Sequence, residues 1–269
     1  MKTLVFVFFL LVGCLPVEGT ISRVRSAGAA TSSNASTLTI TLGATPAVGD
    51  WIVVAWVCAQ TPSFKITNNG DFNGYSMYYP TPNSANTTYM GFAWWQSLGV
   101  TSTIQLGTNG VSNATIAAAA VEYRGSNLVV DVTTLGATAN STTPNSGTFT
   151  TNYGSELILG LLGTRTQQTT DLAGSIFSSP TNSFTFLEPH NSFNNTASNT
   201  DRAMVLLEKI VTSTQTGTSA GASLAVTNAW NGFAITFREL QGGGPLVFRK
   251  NLRNFFMNNP ALLGFRQLK

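Results

Sequence analysis

An all-β fold is what this sequence predicts, and three observations carry that prediction. The first is internal repetition. Ser36 to Trp56 runs through a Thr-rich alternating stretch, a turn, Gly49-Asp50 and then Trp51-Ile52-Val53-Val54-Ala55. Ser146 to Leu162 repeats that order with Thr148, Thr150 and Thr151, a turn, Gly154-Ser155 and Glu156-Leu157-Ile158-Leu159-Gly160. Downstream, Tyr89 to Trp95 is echoed by Ala203 to Leu207, and Ala117 to Tyr123 by Gly232 to Arg238. Two copies are too few for a stacked repeat array, so they read as two related halves. The second observation is period: short stretches alternate apolar and polar residues, as in Thr37-Leu38-Thr39-Ile40-Thr41-Leu42, which puts one face of a strand in the core. The third is punctuation by Gly, Asn and Pro, with no long amphipathic helix before residue 245. Together they point to a single jelly-roll-like β-sandwich from two pseudo-repeated halves, followed by a short C-terminal amphipathic helix.

Along the chain, residues 1–19 read as a signal peptide. Lys2 precedes an apolar run from Leu4 to Val12, too short to span a bilayer as a helix and suited to an export signal. Two processing sites compete. Leu11-Val12-Gly13-Cys14 resembles a lipobox in which Cys14 is lipidated, and Val17-Glu18-Gly19 fits an ordinary cut before Thr20. Residues 20–35 are a Ser/Ala/Gly-rich entry segment. The sandwich spans 36–240, with strands expected at 36–42, 50–59, 87–96, 101–107 and 114–124, then at 146–151, 155–163, 202–211, 217–226 and 231–239. Ala117 to Ala120 could open a helix, but Ile116, Val121 and Tyr123 around it favour a strand. Residues 241–269 form a Gly linker and a basic tail. Phe248, Leu252, Phe255 and Phe256 fall at i, i+4, i+7 and i+8, one face of a helix, while Arg249, Lys250 and Arg253 take the other.

Composition narrows the function classes. Only 9% of the 269 residues are charged, far below the ~25% usual in globular proteins. Residues 20–240 carry eight Lys/Arg against ten Asp/Glu, whereas residues 245–269 carry five cations and no acid. The net charge of +3 thus comes from the tail, which argues against a nucleic-acid-binding body. Once a leader bearing Cys14 is removed, Cys58 has no intramolecular partner and reads as a small core residue.

Gly49-Asp50-Trp51-Ile52-Val53-Val54, followed by Val121-Glu122-Tyr123-Arg124-Gly125, resembles β-sandwich domains of bacterial surface proteins and of phage structural or tail proteins. The likeness covers roughly residues 36 to 239. It implies a fold and an extracellular or virion setting, and no site residues.

Catalytic groups are sparse. His190 is the one histidine, so a multi-histidine metal site is excluded, and no Gly-x-Ser-x-Gly elbow is present. Glu122, Glu156, Glu208 and Glu239 each stand alone in their strands, whereas a glycosidase needs two carboxylates about 5–10 Å apart. Asn68 to Gly74 has oxygen ligands at close spacing but one acid and no closing Glu, which reads as a turn cluster. No cofactor is implied. The polar, aromatic-bearing loops 60–86 and 164–201 offer more. Phe72, Tyr75, Tyr78, Tyr79 and Phe186 are the candidate ligand-binding residues, since aromatic rings can stack on sugars while Asn and Ser bond hydroxyls. In the tail, Phe248, Arg249, Lys250, Leu252, Arg253 and Phe256 are candidate contacts for a membrane surface or a partner subunit. The expectation is an exported, non-enzymatic module at the cell surface that binds a glycan or surface polymer. A structural subunit of a virion or surface assembly is the alternative, a glycoside hydrolase-like enzyme the second; homo-oligomers are open. Five Asn-x-Ser/Thr sequons (Asn34, Asn86, Asn113, Asn140, Asn194) matter only in a eukaryotic host.

Overall fold

The computed structural model describes residues 21–31, 35–59, 64–67, 70–71, 74–78, 88–108, 115–125, 127–165, 176–192 and 202–240. Within them the protein is all-β, built from antiparallel sheets, with no helix. The first half holds β1 (Ser22–Ala30), β2 (Thr37–Thr41), β3 (Trp51–Cys58), β4 (Phe64–Thr67), β5 (Ser76–Tyr78), β6 (Tyr89–Gln96), β7 (Thr103–Thr108) and β8 (Ile116–Arg124). The second holds β9 (Leu128–Thr133), β10 (Ala137–Ser141), β11 (Glu156–Arg165), β12 (Phe177–Ser178), β13 (Thr185–Ser192), β14 (Arg202–Val211), β15 (Ser223–Leu224) and β16 (Asn228–Glu239).

The repetition in the sequence is a repetition of strand order. One large sheet runs β1-β8-β3-β6-β5 and the other β10-β16-β11-β14-β13, with β9 also paired to β16. The echoed segments occupy equivalent places: β3 with β11, β6 with β14, β8 with β16. A smaller sheet, β2-β7-β4, accompanies the first half. In the second half that position is taken by the β12-β15 pair and by isolated bridges Asn145–Gly221 and Phe149–Thr218. Of the runs 146–151 and 217–226, expected as strands, Phe149 and Thr218 meet in a single bridge, and Ser223–Leu224 pairs with β12 instead.

Alternation along the central strands explains the layering. Val53, Ala55 and Val57 of β3 and Ala119, Val121 and Tyr123 of β8 face Leu157, Leu159 and Leu161 of β11 and Phe233, Ile235 and Phe237 of β16, forming a core shared by the two large sheets. The opposite faces are apolar too. Ile52, Val54 and Trp56 join Ile40, Ile104 and Leu106 in a core beneath β2-β7-β4. Ile158, Leu162, Val205 and Leu207 join Phe149, Phe177 and Leu224 in a third. Ile52 and Val54 thus serve the first half's own core, Leu157 and Leu159 the shared one, and Trp51 packs partly buried against the shared one. Ala117 to Ala120 lies inside β8 with both faces buried, where small side chains suit a strand enclosed between two layers.

Several strands lie outside the sequence expectations. Residues 22–30, read as entry, form β1, and the match is small residue to small residue: Ala27 opposite Ala120, Gly28 opposite Ala119, Ala29 opposite Ala118. β9 and β10 fill the stretch between the halves. Polar links cross the shared interface at its edge. Tyr123 Oη donates to Glu208 Oε2 (2.7 Å), Arg23 Nη1 approaches Glu208 Oε1 (3.5 Å), and Ser26 Oγ donates to Glu188 Oε1 (2.7 Å). Burial, with Glu208 alongside, pushes the Tyr123 hydroxyl well above its ordinary pKa.

Phe233 is fully buried in the shared core, with its ring 5.1 Å from that of Phe92 and 5.7 Å from that of Tyr78, both of the first half. Phe233→Ala should cost about 3–5 kcal/mol. Because the lost contacts join the halves, denaturant unfolding should stay a single transition at a lower midpoint; a second transition in wild type would show that the halves unfold independently.

Candidate functional site

A cleft of ≈ 780 Å³ opens where the β5–β6 edge of the first half meets β9 of the second. Its lining includes Val48, Gly49, Trp51, Tyr75, Ser76, Trp94, Trp95, Gln96, Ser97, Leu98 and Leu128, Val129 and Val130, and none of the described lining residues is charged. Strand alternation sends Trp95 into the first half's core, where it is buried, and leaves Trp94 partly exposed with its ring 5.4 Å from Phe237.

Buried carboxyls hold the two loops at the mouth. Asp71, 2% exposed, accepts from Ser97 Oγ (2.9 and 3.0 Å) and from Val100 N–H (2.7 Å), while its carbonyl accepts from Leu98 N–H (2.9 Å). This bends the chain after β6, and Gly99 supplies the positive φ the turn needs (73°). The carboxylate of the 68–74 cluster is thus committed to a turn. On the other side, Glu122 Oε1 accepts from Ala47 N–H (3.4 Å), its Oε2 lies 2.7 Å from Arg25 Nε, and Gln96 Nε2 donates to Gly49 O (3.0 Å). Arg124 Nη2 reaches Asp50 Oδ2 at 3.4 Å. Burial raises the Glu122 carboxyl above the usual carboxylate range and the neighbouring Asp50 adds to this, against the pull of Arg25.

The candidate residues named from sequence are dispersed. Tyr75 lines the cleft, half-buried, and its hydroxyl accepts from Ile66 N–H (3.4 Å). Tyr78 is half-buried and structural in its contacts: its hydroxyl donates to Thr134 O (2.8 Å), tying β5 to the second half. Phe186 packs on the second half's outer core. Phe72, Tyr79, Cys14 and the tail residues Phe248, Arg249, Lys250, Leu252, Arg253 and Phe256 lie outside the described residues. Trp51, Trp94 and Gln96 are the cleft residues that sequence reasoning missed, because apolar strand runs gave no sign of which ring would be left uncovered.

The carboxylates do not converge. Glu122 and Tyr123 are consecutive in β8 and point to opposite faces, and Glu208 bonds Tyr123, so Glu122 and Glu208 lie on opposite sides of a sheet. Among the described residues no group of three or more His, Cys, Asp or Glu could hold a metal ion. His190 sits in β13 opposite Met204. Cys58 is a buried thiol of the first half's core. No protein-family model matches the chain, and no curated protein or solved structure does so either.

A second acid pair lies away from the cleft. Glu156 is fully buried, and its Oε1 accepts from Tyr153 N–H (2.9 Å). Asp131, beside it, accepts from Asn152 N–H (2.9 Å) and Asn152 Nδ2 (3.0 Å). Burial is the main cause that pushes the Glu156 carboxyl up to about 7; Asp131 adds to it, and the Thr236 hydroxyl and Tyr153 N–H oppose it. A carboxyl whose folded-state pKa is raised contributes stability fully below its unfolded value, and that contribution is lost as pH rises through the folded value. The melting temperature should therefore fall between the ordinary carboxyl range of about 4.5 and about 7. Glu156→Gln should flatten this slope, melting above wild type at about pH 8 and level with it near pH 4. Parallel melting curves for the two proteins across that range would refute the assignment.

Proposed function

We propose that the protein is an exported, non-enzymatic surface-binding module that takes a neutral glycan or similar surface polymer in the aromatic cleft. The described lining carries this reading: three partly exposed aromatic residues, Trp51, Tyr75 and Trp94, with Ser76 and Gln96 and no charged residue among those described. Sugar rings present C–H faces that pack on aromatic rings and hydroxyls that pair with neutral amides and hydroxyls. A lining without carboxyl or imidazole groups among the described residues supports binding rather than bond cleavage. Export of the chain rests on the apolar run at 4–12.

The fold reading goes with it. One jelly-roll-like sandwich made from two related halves is supported by the repeated strand order of the two large sheets and the core they share. That tandem order also favours the second reading, a structural subunit of a virion or surface assembly. Sequencing the N-terminus of native protein separates the two: a start at Cys14 or at Thr20 supports export, and an intact Met1 in purified particles supports the subunit.

Binding to insoluble neutral polysaccharides tests the cleft. Tyr75→Ala and Trp94→Ala should each weaken retention by roughly 1–3 kcal/mol, on the scale known for rings stacked on nucleic-acid bases, with far-UV circular dichroism confirming the fold. Equal retention by both folded variants, or a preference for charged polymers, would reject the reading.

A further inference from the structure

We propose that the cleft is also the docking site of the chain's own C-terminal segment, residues 245–256, which competes with an external ligand for the same aromatic surface. Three observations meet here. The first is where the described chain ends. Glu239 pairs with Leu128, and Leu240 N–H donates to Asn127 O (3.1 Å), so the chain leaves the sandwich beside Leu128 to Val130, one wall of the cleft.

The second is uncovered apolar surface at the mouth. Val48 is 76% exposed, Val100 56% and Leu98 39%, and Val48 packs over Gly99, where a Cβ would come within 2.8 Å of its Cγ2. Val48 and Leu98 line the cleft itself, and Val100 follows two residues after Leu98. Scattered exposed apolar residues are ordinary, but a cluster continuous with an aromatic cleft marks a contact surface.

The third is the pattern of residues after Leu240. Gly242-Gly243-Gly244-Pro245 is a short link in sequence, and Phe248, Leu252, Phe255 and Phe256 recur at i, i+4, i+7 and i+8, with Arg249, Lys250 and Arg253 between them. That segment lies outside the described residues. Four linker residues span on the order of 13 Å when extended, enough to turn the chain back over the wall from which it starts. A link of so few residues also sets an effective concentration of about millimolar, so weak intrinsic affinity suffices for docking within one molecule. Docked this way, the apolar face meets an uncharged aromatic surface and the cations stay in water. The cleft's composition favours such an occupant over a charged one, and the proximity of the exit favours the chain's own tail over a neighbour's.

Only the regulatory consequence rests on the glycan reading; docking itself does not. The experiment compares the full chain with the full chain bearing Phe248→Asp and Leu252→Asp, by hydrogen exchange. Backbone amides of residues 96–100 and 128–130 should exchange at least about tenfold faster in the variant, with β3 and β11 unchanged, and a synthetic 245–258 peptide added to the variant should restore protection. Equal exchange in the two proteins overturns the proposal. So does protection that grows with protein concentration, which would place a neighbour's tail in the cleft. Loss of binding to anionic vesicles with unchanged cleft exchange also overturns it, since the tail's partner would then be a membrane. If polysaccharide retention rises in the variant, docking and glycan binding share the site. If exchange responds but no polysaccharide is retained by either protein, docking stands and the glycan reading fails.

Discussion

Strands β3, β8, β11 and β16 are apolar on both faces, so each large sheet has to be covered twice. One covering is mutual: the two sheets close on each other around Phe92, Phe233 and Phe237. The other is local, supplied in each half by a smaller sheet or by bridged loops. Much else depends on this double demand. The small residues of β1 and β8, the burial of Trp56 against Gly91, and the absence of room at Gly160 beside Ala220 all belong to interiors where layers approach closely. With so few charges in the chain, apolar burial has to carry the stability, and the charged groups that are enclosed come with partners, as in Arg25–Glu122 and Tyr123–Glu208.

The same packing leaves a seam at one margin, and the cleft is that seam. β5 has three residues and pairs with Phe92 to Trp94 of β6, and Trp94 near the end of β6 remains partly open. β9 approaches from the other half without closing the gap. The mouth then depends on enclosed carboxyls, Asp71 and Glu122, that satisfy backbone N–H groups of the neighbouring turns. An acid fully engaged in holding a turn is poorly placed to act on a ligand, which is why the acids near this cleft read as framework and the rings as surface.

The acid pair Glu156–Asp131 plays a similar framing part under the turn at 152–155, at the cost of enclosing a carboxyl that water would rather ionise. Each half thus places a buried glutamate beneath the loop that leads into its central strand, Glu122 below residues 43–50 and Glu156 below 152–155. The positions differ, one on β8 and one on β11, so what the halves share is the need to satisfy turn N–H groups, met by different residues.

The sequence by itself determined the all-β class, most of the long central strands and the pairing of the two halves, because a period of two and a repeated order are local properties. Val53 to Val57 and Leu157 to Leu161 could be read without knowing what they face. Only the tertiary structure decided which of Trp94 and Trp95 stays uncovered, because that depends on which layer packs on each face of the sheet: Trp95 lies under the first half's small sheet and Trp94 at the margin of the shared core. It likewise placed β1, whose Ser, Arg, Ala and Gly residues carry no strand signal of their own and gain one only beside the alanines of β8. The candidate site divided in the same way. Tyr75 was legible as an aromatic in a polar loop, whereas Tyr78, equally legible, spends its hydroxyl on Thr134 O across the interface between the halves, a contact that no local pattern contains.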